Sequence, residues 1–269
     1  MDSNVPGSHG SREHVEYLLR LGDNALVLGQ RVAEWCGHGP VLEEDIAMAN
    51  VALDLVGQAR LLLTHAGTVE GNGRDEDQLA FLREVPEFRN ATLAELPSGG
   101  VTSARAVSGD YGLAIVRNLL FSAYQCELWR ALSASSDGEL AAIAAKSLKE
   151  SRYHLRHAAD WTIRLGDGTE ESHARAQVAL DALWPYTHEL FETDPVEQAV
   201  ARRGIGVESA TLRRDWLEGV AAIVAEATLR LPPDTAFRST GKLGLHSEHL
   251  GYLLTEMQSL HRQHPGATW

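Results

Sequence analysis

From Leu18 to Trp35, apolar residues recur at alternating intervals of three and four: Leu18, Leu21, Ala25, Leu28, Val32 and Trp35. That spacing is the stripe one face of an α-helix presents to a bundle. The stripe stops at Gly37-His38-Gly39-Pro40. A second periodic stretch, 42–66, carries two stripes side by side, with Ile46, Ala49, Leu53 and Val56 on one and Ala52, Leu55, Ala59 and Leu62 on the other. An apolar face so wide needs neighbours on more than one side. With the first helix at 14–36, two more are predicted at 110–133 and 138–165, divided by Ser136-Asp137-Gly138. Between the pairs, residues 67–109 mix GNGRDED, REVPEFRN and LPSGG, and they read as a long crossover with one short helix.

Hairpin, long crossover, hairpin is the connectivity of a ferritin-like four-helix bundle. Helix formers such as Ala, Leu, Glu and Arg dominate, and 44% of the 269 residues are hydrophobic, enough for a large core. The expected fold is therefore all-α, a ferritin-like bundle with additional C-terminal helices at 171–192, 209–231 and 247–263. Pro185 should kink the first of these, and Pro232-Pro233 should stop the second. Residues 1–13 form a polar lead. The rest, 14–269, is expected to be a single domain, because no flexible polar linker separates the last helices from the bundle, and no repeat of fixed period points to a solenoid.

A formal charge of -13 disfavours nucleic acid or anionic lipid as a partner, since phosphates would be repelled at long range. No apolar stretch reads as long and uninterrupted enough to cross a bilayer, and MDSNVPGSHGSREH lacks the charged-then-apolar pattern of a secretory signal, so a cytoplasmic chain is expected. Cys36 and Cys126 lie far apart within predicted helices and suit reduced core thiols.

A bundle of this kind holds two metal ions when two helices each give a carboxylate and two others each give a Glu-x-x-His pair, because residues three apart share one helical face. In the second helix, Asp54-Leu55-Val56-Gly57-Gln58-Ala59 resembles the D-E-x-G-H-A pattern of metal-binding relatives, but Leu55 and Gln58 stand where Glu and His should be. An isobutyl group has no lone pair, and a neutral amide is a poor iron ligand beside imidazole. In the fourth helix Glu150 offers a carboxylate, yet Tyr153 occupies the His position, with His154 about 100° further round. The third helix brings Phe121, Ser122 and Gln125 to that level, with Glu127 about a turn away. The first brings Asp23. Glu150, His154 and His157 form the best remaining metal triplet, while Glu34 and Asp54 suit structural ion pairs. Ligands so sparse should not hold two irons, so Asp23, Leu55, Gln58, Ser122, Glu150 and Tyr153 read as vestigial site positions and no metal is expected.

Weaker constellations remain. His246-Ser247-Glu248-His249 has two His three apart, but Ser247 fits an N-cap and Glu248 the positive end of a helix. Arg238, Lys242 and His246 make a small basic spot able to meet a phosphate or a carboxylate. Glu87-Phe88-Arg89-Asn90 combines an aromatic, a cation and an amide, a possible clasp for a nucleotide-like group. There is no P-loop, no G-x-G-x-x-G after a strand and no G-x-S-x-G.

The stretches LRLGDNALVLGQRVAEWCGHGPVLEEDIAMANVALDLVGQAR, KESRYHLRHAADWTIRLGDG and GKLGLHSEHLGYLLTEMQ are similar to the structural C subunits of bacterial phenylacetyl-CoA 1,2-epoxidases, the PaaC type. The resemblance covers nearly everything after the lead. It implies a non-catalytic scaffold with no cofactor of its own, paired with a homologous A-type catalytic subunit that carries the di-iron centre and oxygenates the ring of phenylacetyl-CoA. A small bridging subunit (B type) and a reductase (E type) with FAD, an iron-sulfur cluster and NADPH would complete the complex. It also implies a share in the CoA-ester site for Glu87, Phe88, Arg89 and Asn90 and for a turn at Gln198, Ala199 and Val200. The alternatives are a di-iron enzyme using Glu150, His154, His157, Asp23 and Asp54, or a helical module that binds CoA esters outside any oxygenase.

Overall fold

The computed structural model describes residues 8–98 and 109–267. Within them the chain is all-α and ferritin-like. Helix α1 (Ser8–Ala33) pairs with α2 (Leu42–Glu70) as the first hairpin. The connection then forms α3 (Glu76–Phe81), a 3-10 turn at Val85–Glu87 and α4 (Thr92–Glu95). The second hairpin is α5 (Tyr111–Leu132) with α6 (Gly138–Gly166). After it come α7 (Glu170–Leu183), a 3-10 segment at Trp184–Phe191, α8 (Pro195–Arg202), α9 (Arg213–Glu226) and α10 (Glu248–Gln263).

The bundle helices start and stop where local chemistry satisfies their ends. Asp110 accepts from Leu113 N at the head of α5, and Asp137 accepts from Glu139 N and Leu140 N at the head of α6, so each carboxylate meets donors that no helical carbonyl can reach. Helix α2 ends at Gly71, which adopts a left-handed φ of 72° and donates its N–H to Gly67 O. Helix α5 is enclosed nearly all round, with Ile115, Val116, Leu119, Leu120 and Phe121 fully buried.

The C-terminal helices wrap this core. Helix α7 lies on α5 and α6, α8 on α1, α9 on α5 and α6, and α10 on α3 and α4. An aromatic cluster fastens them: Trp184 stacks on Trp216 at 5.5 Å, Phe191 lies 4.8 Å from Trp216, and Trp216 Nε1 donates to Leu120 O on α5 at 3.0 Å.

Several boundaries differ from those the sequence predicts. Helix α1 already runs at Ser8, inside the expected lead, whose first seven residues fall outside the described part of the chain, as do residues 99–108 of the crossover. The crossover holds two short helices and the last turn of α2 rather than one short helix; α3 is set by a reciprocal cap between Asp75 and Gln78. The helix expected at 171–192 changes to 3-10 geometry at Trp184-Pro185, where proline cannot donate. Helix α8 has no counterpart among the expected helices, although Asp194-Pro195 is a start signal, with the Asp194 side chain accepting from Glu197 N. Helix α9 ends at Glu226 rather than at Pro232, because Thr228 turns into φ 58° and its hydroxyl donates to Gly166 O at 3.1 Å.

By length and composition alone α2 could cross a membrane, which corrects the expectation that no stretch is long and apolar enough. In the fold its apolar residues divide between two faces, one packed inside and one exposed.

Candidate functional site

The bundle centre is bounded by Leu28 of α1, Val51 and Leu55 of α2, Asn118, Ser122 and Gln125 of α5, and His154 and His157 of α6, around a cavity of about 10 Å³. A space of that size holds about one water. Around it, three polar pairs tie α2 to α6. Gln58 Nε2 donates to Glu150 at 2.9 Å, His154 Nε2 lies 3.0 Å from Asp54, and His157 Nε2 lies 2.8 Å from Glu44, which also accepts from the Tyr111 hydroxyl at 2.6 Å. Burial holds the His154 imidazole below its ordinary pKa, although the Asp54 carboxylate pulls the other way. Glu44 is held low: burial opposes this, but the hydrogen bonds from Tyr111 and His157 outweigh it.

Glu150, His154 and His157 thus each face a different residue of α2 and do not converge on one point. Tyr153 is not an interior residue; it is 41% exposed and stacked beside His157. At this level α6 turns the next residue, His154, inward. Asp23 is also absent from the centre, and Leu28 takes the place expected of it. Glu127 pairs with Arg130, and Glu34 with Arg31. Leu55 and Ser122 line the cavity as apolar and hydroxyl groups, its lining includes no carboxylate that could bridge two irons, and its two imidazoles, His154 and His157, are each held by a separate carboxylate of α2.

The segment at 87–90 is built as a buried knot. Phe88 and Asn90 are fully buried, and the Arg83 guanidinium sits 4.3 Å over the Phe88 ring. Asn90 Nδ2 donates to Glu95 at 2.8 Å, and the buried His246 places Nδ1 2.8 Å from the same carboxylate and Nε2 3.0 Å from Phe88 O. Both ring nitrogens of His246 therefore face acceptors, and although burial opposes it, Glu95 raises the His246 pKa. An aromatic so enclosed offers no open face for a nucleotide. Glu87 is exposed, and Arg89 reaches Glu16 at 2.8 Å. Glu16 also meets Arg20, which binds Asp194 at the head of α8 at 2.7 Å. Gln198, Ala199 and Val200 lie on α8, a helix and not a turn; Val200 is core and Gln198 is exposed. The two segments thus share one side of α1.

Arg238, Lys242 and His246 do not form a basic spot. Arg238 pairs with Glu192, Lys242 with Glu197 and His246 with Glu95. Ser247 occupies the N-cap position of α10, yet its hydroxyl makes no cap bond, and Glu95 accepts from its backbone N–H instead. Cys126 is buried, which pushes its thiol up to about 11, whereas Cys36 is exposed.

Two features stand out beyond the candidate site residues. Leu42, Ile46, Leu53 and Val56 form an exposed apolar stripe down α2, with Leu53 69% exposed. Isolated surface leucines are ordinary, but a stripe over four turns is the mark of an interaction face. The other feature is a group of three possible metal ligands, His14, His65 and Asp137, whose donor atoms lie within 4.8 Å of one another. Its members are scattered through the sequence, so no spacing signal could have found it.

A family model described as phenylacetic acid catabolic protein matches residues 1–269. The chain is 47% identical over 253 residues to the C subunit of the 1,2-phenylacetyl-CoA epoxidase of Escherichia coli (strain K12). The match covers 94% of this chain and 98% of that protein.

Proposed function

The chain belongs to the phenylacetic acid catabolic protein family, and from that premise we propose that it is the structural C subunit of a phenylacetyl-CoA epoxidase. It pairs through its α2 face with a homologous A-type subunit that carries the di-iron centre. The observation that carries this reading is the pairing of a closed bundle centre with an open apolar stripe. Inside, Leu55 and the ties Gln58 to Glu150 and Asp54 to His154 leave scaffold where ligands would be needed. Outside, Leu42, Ile46, Leu53 and Val56 present the repeat that a second bundle packs against.

Any part in the CoA-ester site falls to the exposed Glu87 and Gln198, with Phe88, Asn90 and Val200 fixing the shape of the wall behind them. The B-type subunit and the E-type reductase, with FAD, its iron-sulfur cluster and NADPH, complete the system. The buried polar ties and the lack of converging ligands at the centre tell against a self-sufficient di-iron enzyme.

Co-expression with the A-type subunit tests the pairing. The wild-type chain should co-purify with it, iron should be found with the partner, and Leu53→Asp should weaken the complex at least about tenfold, a cost of about 1.4 kcal/mol, while leaving this chain's circular dichroism unchanged. Full complex formation by Leu53→Asp and Ile46→Asp together would refute the α2 face as the contact.

A further inference from the structure

We infer that His14, His65 and Asp137 form a binding site for a zinc-class divalent ion that clips the two helix hairpins together at one end of the bundle. His14 stands near the start of α1, His65 near the end of α2, and Asp137 at the turn into α6, so the three donors come from both hairpins. His65 Nε2 lies 2.7 Å and His14 Nε2 2.8 Å from the same oxygen, Asp137 Oδ2. The two imidazoles meet edge to face, at 78°. Each of the three side chains is close to nine-tenths buried.

The hydrogen bonding at this point is incomplete. His65 is well directed at the carboxylate, but His14 Nε2, although 2.8 Å from the same oxygen, lies off the line a good hydrogen bond needs and is poorly satisfied for a buried nitrogen. Such a nitrogen costs stability unless something accepts its proton or takes its lone pair. A metal ion does the second. Donors around a tetrahedral zinc with bonds of about 2.0–2.1 Å stand about 3.3 Å apart, so each imidazole needs to part from Asp137 Oδ2 by only about half an ångström, and the two ring nitrogens already lie within 4.8 Å of each other. The remaining coordination position would fall to water.

The surroundings support these donors and also select among ions. Asp137 Oδ1 is held by Glu139 N and Leu140 N, at 3.1 Å each, which fixes the carboxylate and leaves Oδ2 for the ion. Arg203 and the positive end of α6 repel any cation. Hard ions that bind carboxylate by charge alone, such as Mg²⁺ and Ca²⁺, gain too little from one acid to overcome that; ions that bond strongly to imidazole do not depend on it.

The site is separate from the bundle centre, so its test does not depend on the epoxidase reading. Full-length protein without a histidine tag, stripped with chelator, is titrated with Zn²⁺ by calorimetry, with Mg²⁺ as the comparison and melting temperature followed in parallel. One Zn²⁺ per chain, no Mg²⁺ uptake and a melting temperature that rises with Zn²⁺ are expected. His14→Gln and His65→Gln keep an amide to donate to Asp137, and Asp137→Asn keeps the helix cap. Each should weaken Zn²⁺ binding about tenfold or more, whereas His154→Gln should leave it unchanged. No stoichiometric uptake, or uptake that survives both histidine substitutions, would overturn the proposal.

Discussion

At Asp23 a single carboxylate meets three donors with no exposure to water. Arg83 reaches it through both terminal nitrogens, and Arg89 N donates to it at 2.8 Å. The same guanidinium donates to Leu79 O and Glu87 O and covers the Phe88 ring, so one ion pair ties α1 to α3 and to the 87–90 knot. Replacing such a pair with well-packed apolar groups is often harmless, but removing one partner strands a buried charge. Asp23→Ala should therefore cost about 3–5 kcal/mol in urea unfolding, and Asp23→Leu combined with Arg83→Leu clearly less. Equal losses in the single and double variants would show that the lost packing, and not the stranded guanidinium, sets the cost.

Among the elements, α2 separates what glycine does at two places in one helix. A Cβ added at Gly67 would stand 2.1 Å from Arg74 O, a backbone atom that cannot swing away, whereas one added at Gly57 meets nothing within 4 Å. Gly67→Ala should cost about 1–3 kcal/mol, and Gly57→Ala should stabilise the isolated chain by about 0.5–1 kcal/mol; thermal melts of the two variants distinguish them, and similar shifts would contradict the close approach. The same helix shows how far sequence can be read. Its double stripe is legible because periodicity is a local property, and it announces both the buried row of Ala52, Leu55, Ala59 and Leu62 and the open row of Ile46, Leu53 and Val56. Which way Tyr153 turns depends on the rotation of α6 against α2, which no spacing within α6 records. Asp23 likewise finds its partner in Arg83, across the crossover, and the convergence of His14, His65 and Asp137 needs both hairpins in place. Short elements such as α4 and α8 owe their form to what they pack on, and their few residues carry too little pattern to be counted in advance.

For the whole molecule, the joints between hairpins and around the crossover include imidazole–carboxylate pairs, and pH acts on them with opposite signs. His154 is held below its ordinary pKa by burial, so on acidification the unfolded chain takes up a proton below its reference value of 6.5 before the folded chain does. Stability then falls as pH drops from 6.5 toward the folded value, by up to about 1.4 kcal/mol per pH unit for one proton. Glu44 adds a second acid stage: its folded pKa lies below the reference value of 4.5, so its contribution is complete above that pH and is lost as pH falls through the folded value. His246 works the other way. Its pKa is raised by Glu95, so its contribution is complete below 6.5 and is lost as pH rises through the folded value. In chelator, the melting temperature should therefore peak near neutrality and fall on both sides. His154→Gln should flatten the slope just below pH 6.5 and leave the alkaline side alone, while His246→Gln should lower the peak and flatten the alkaline side. If His154→Gln instead left the acid limb as steep as before, the tie between α2 and α6 would not be where acid first opens the bundle.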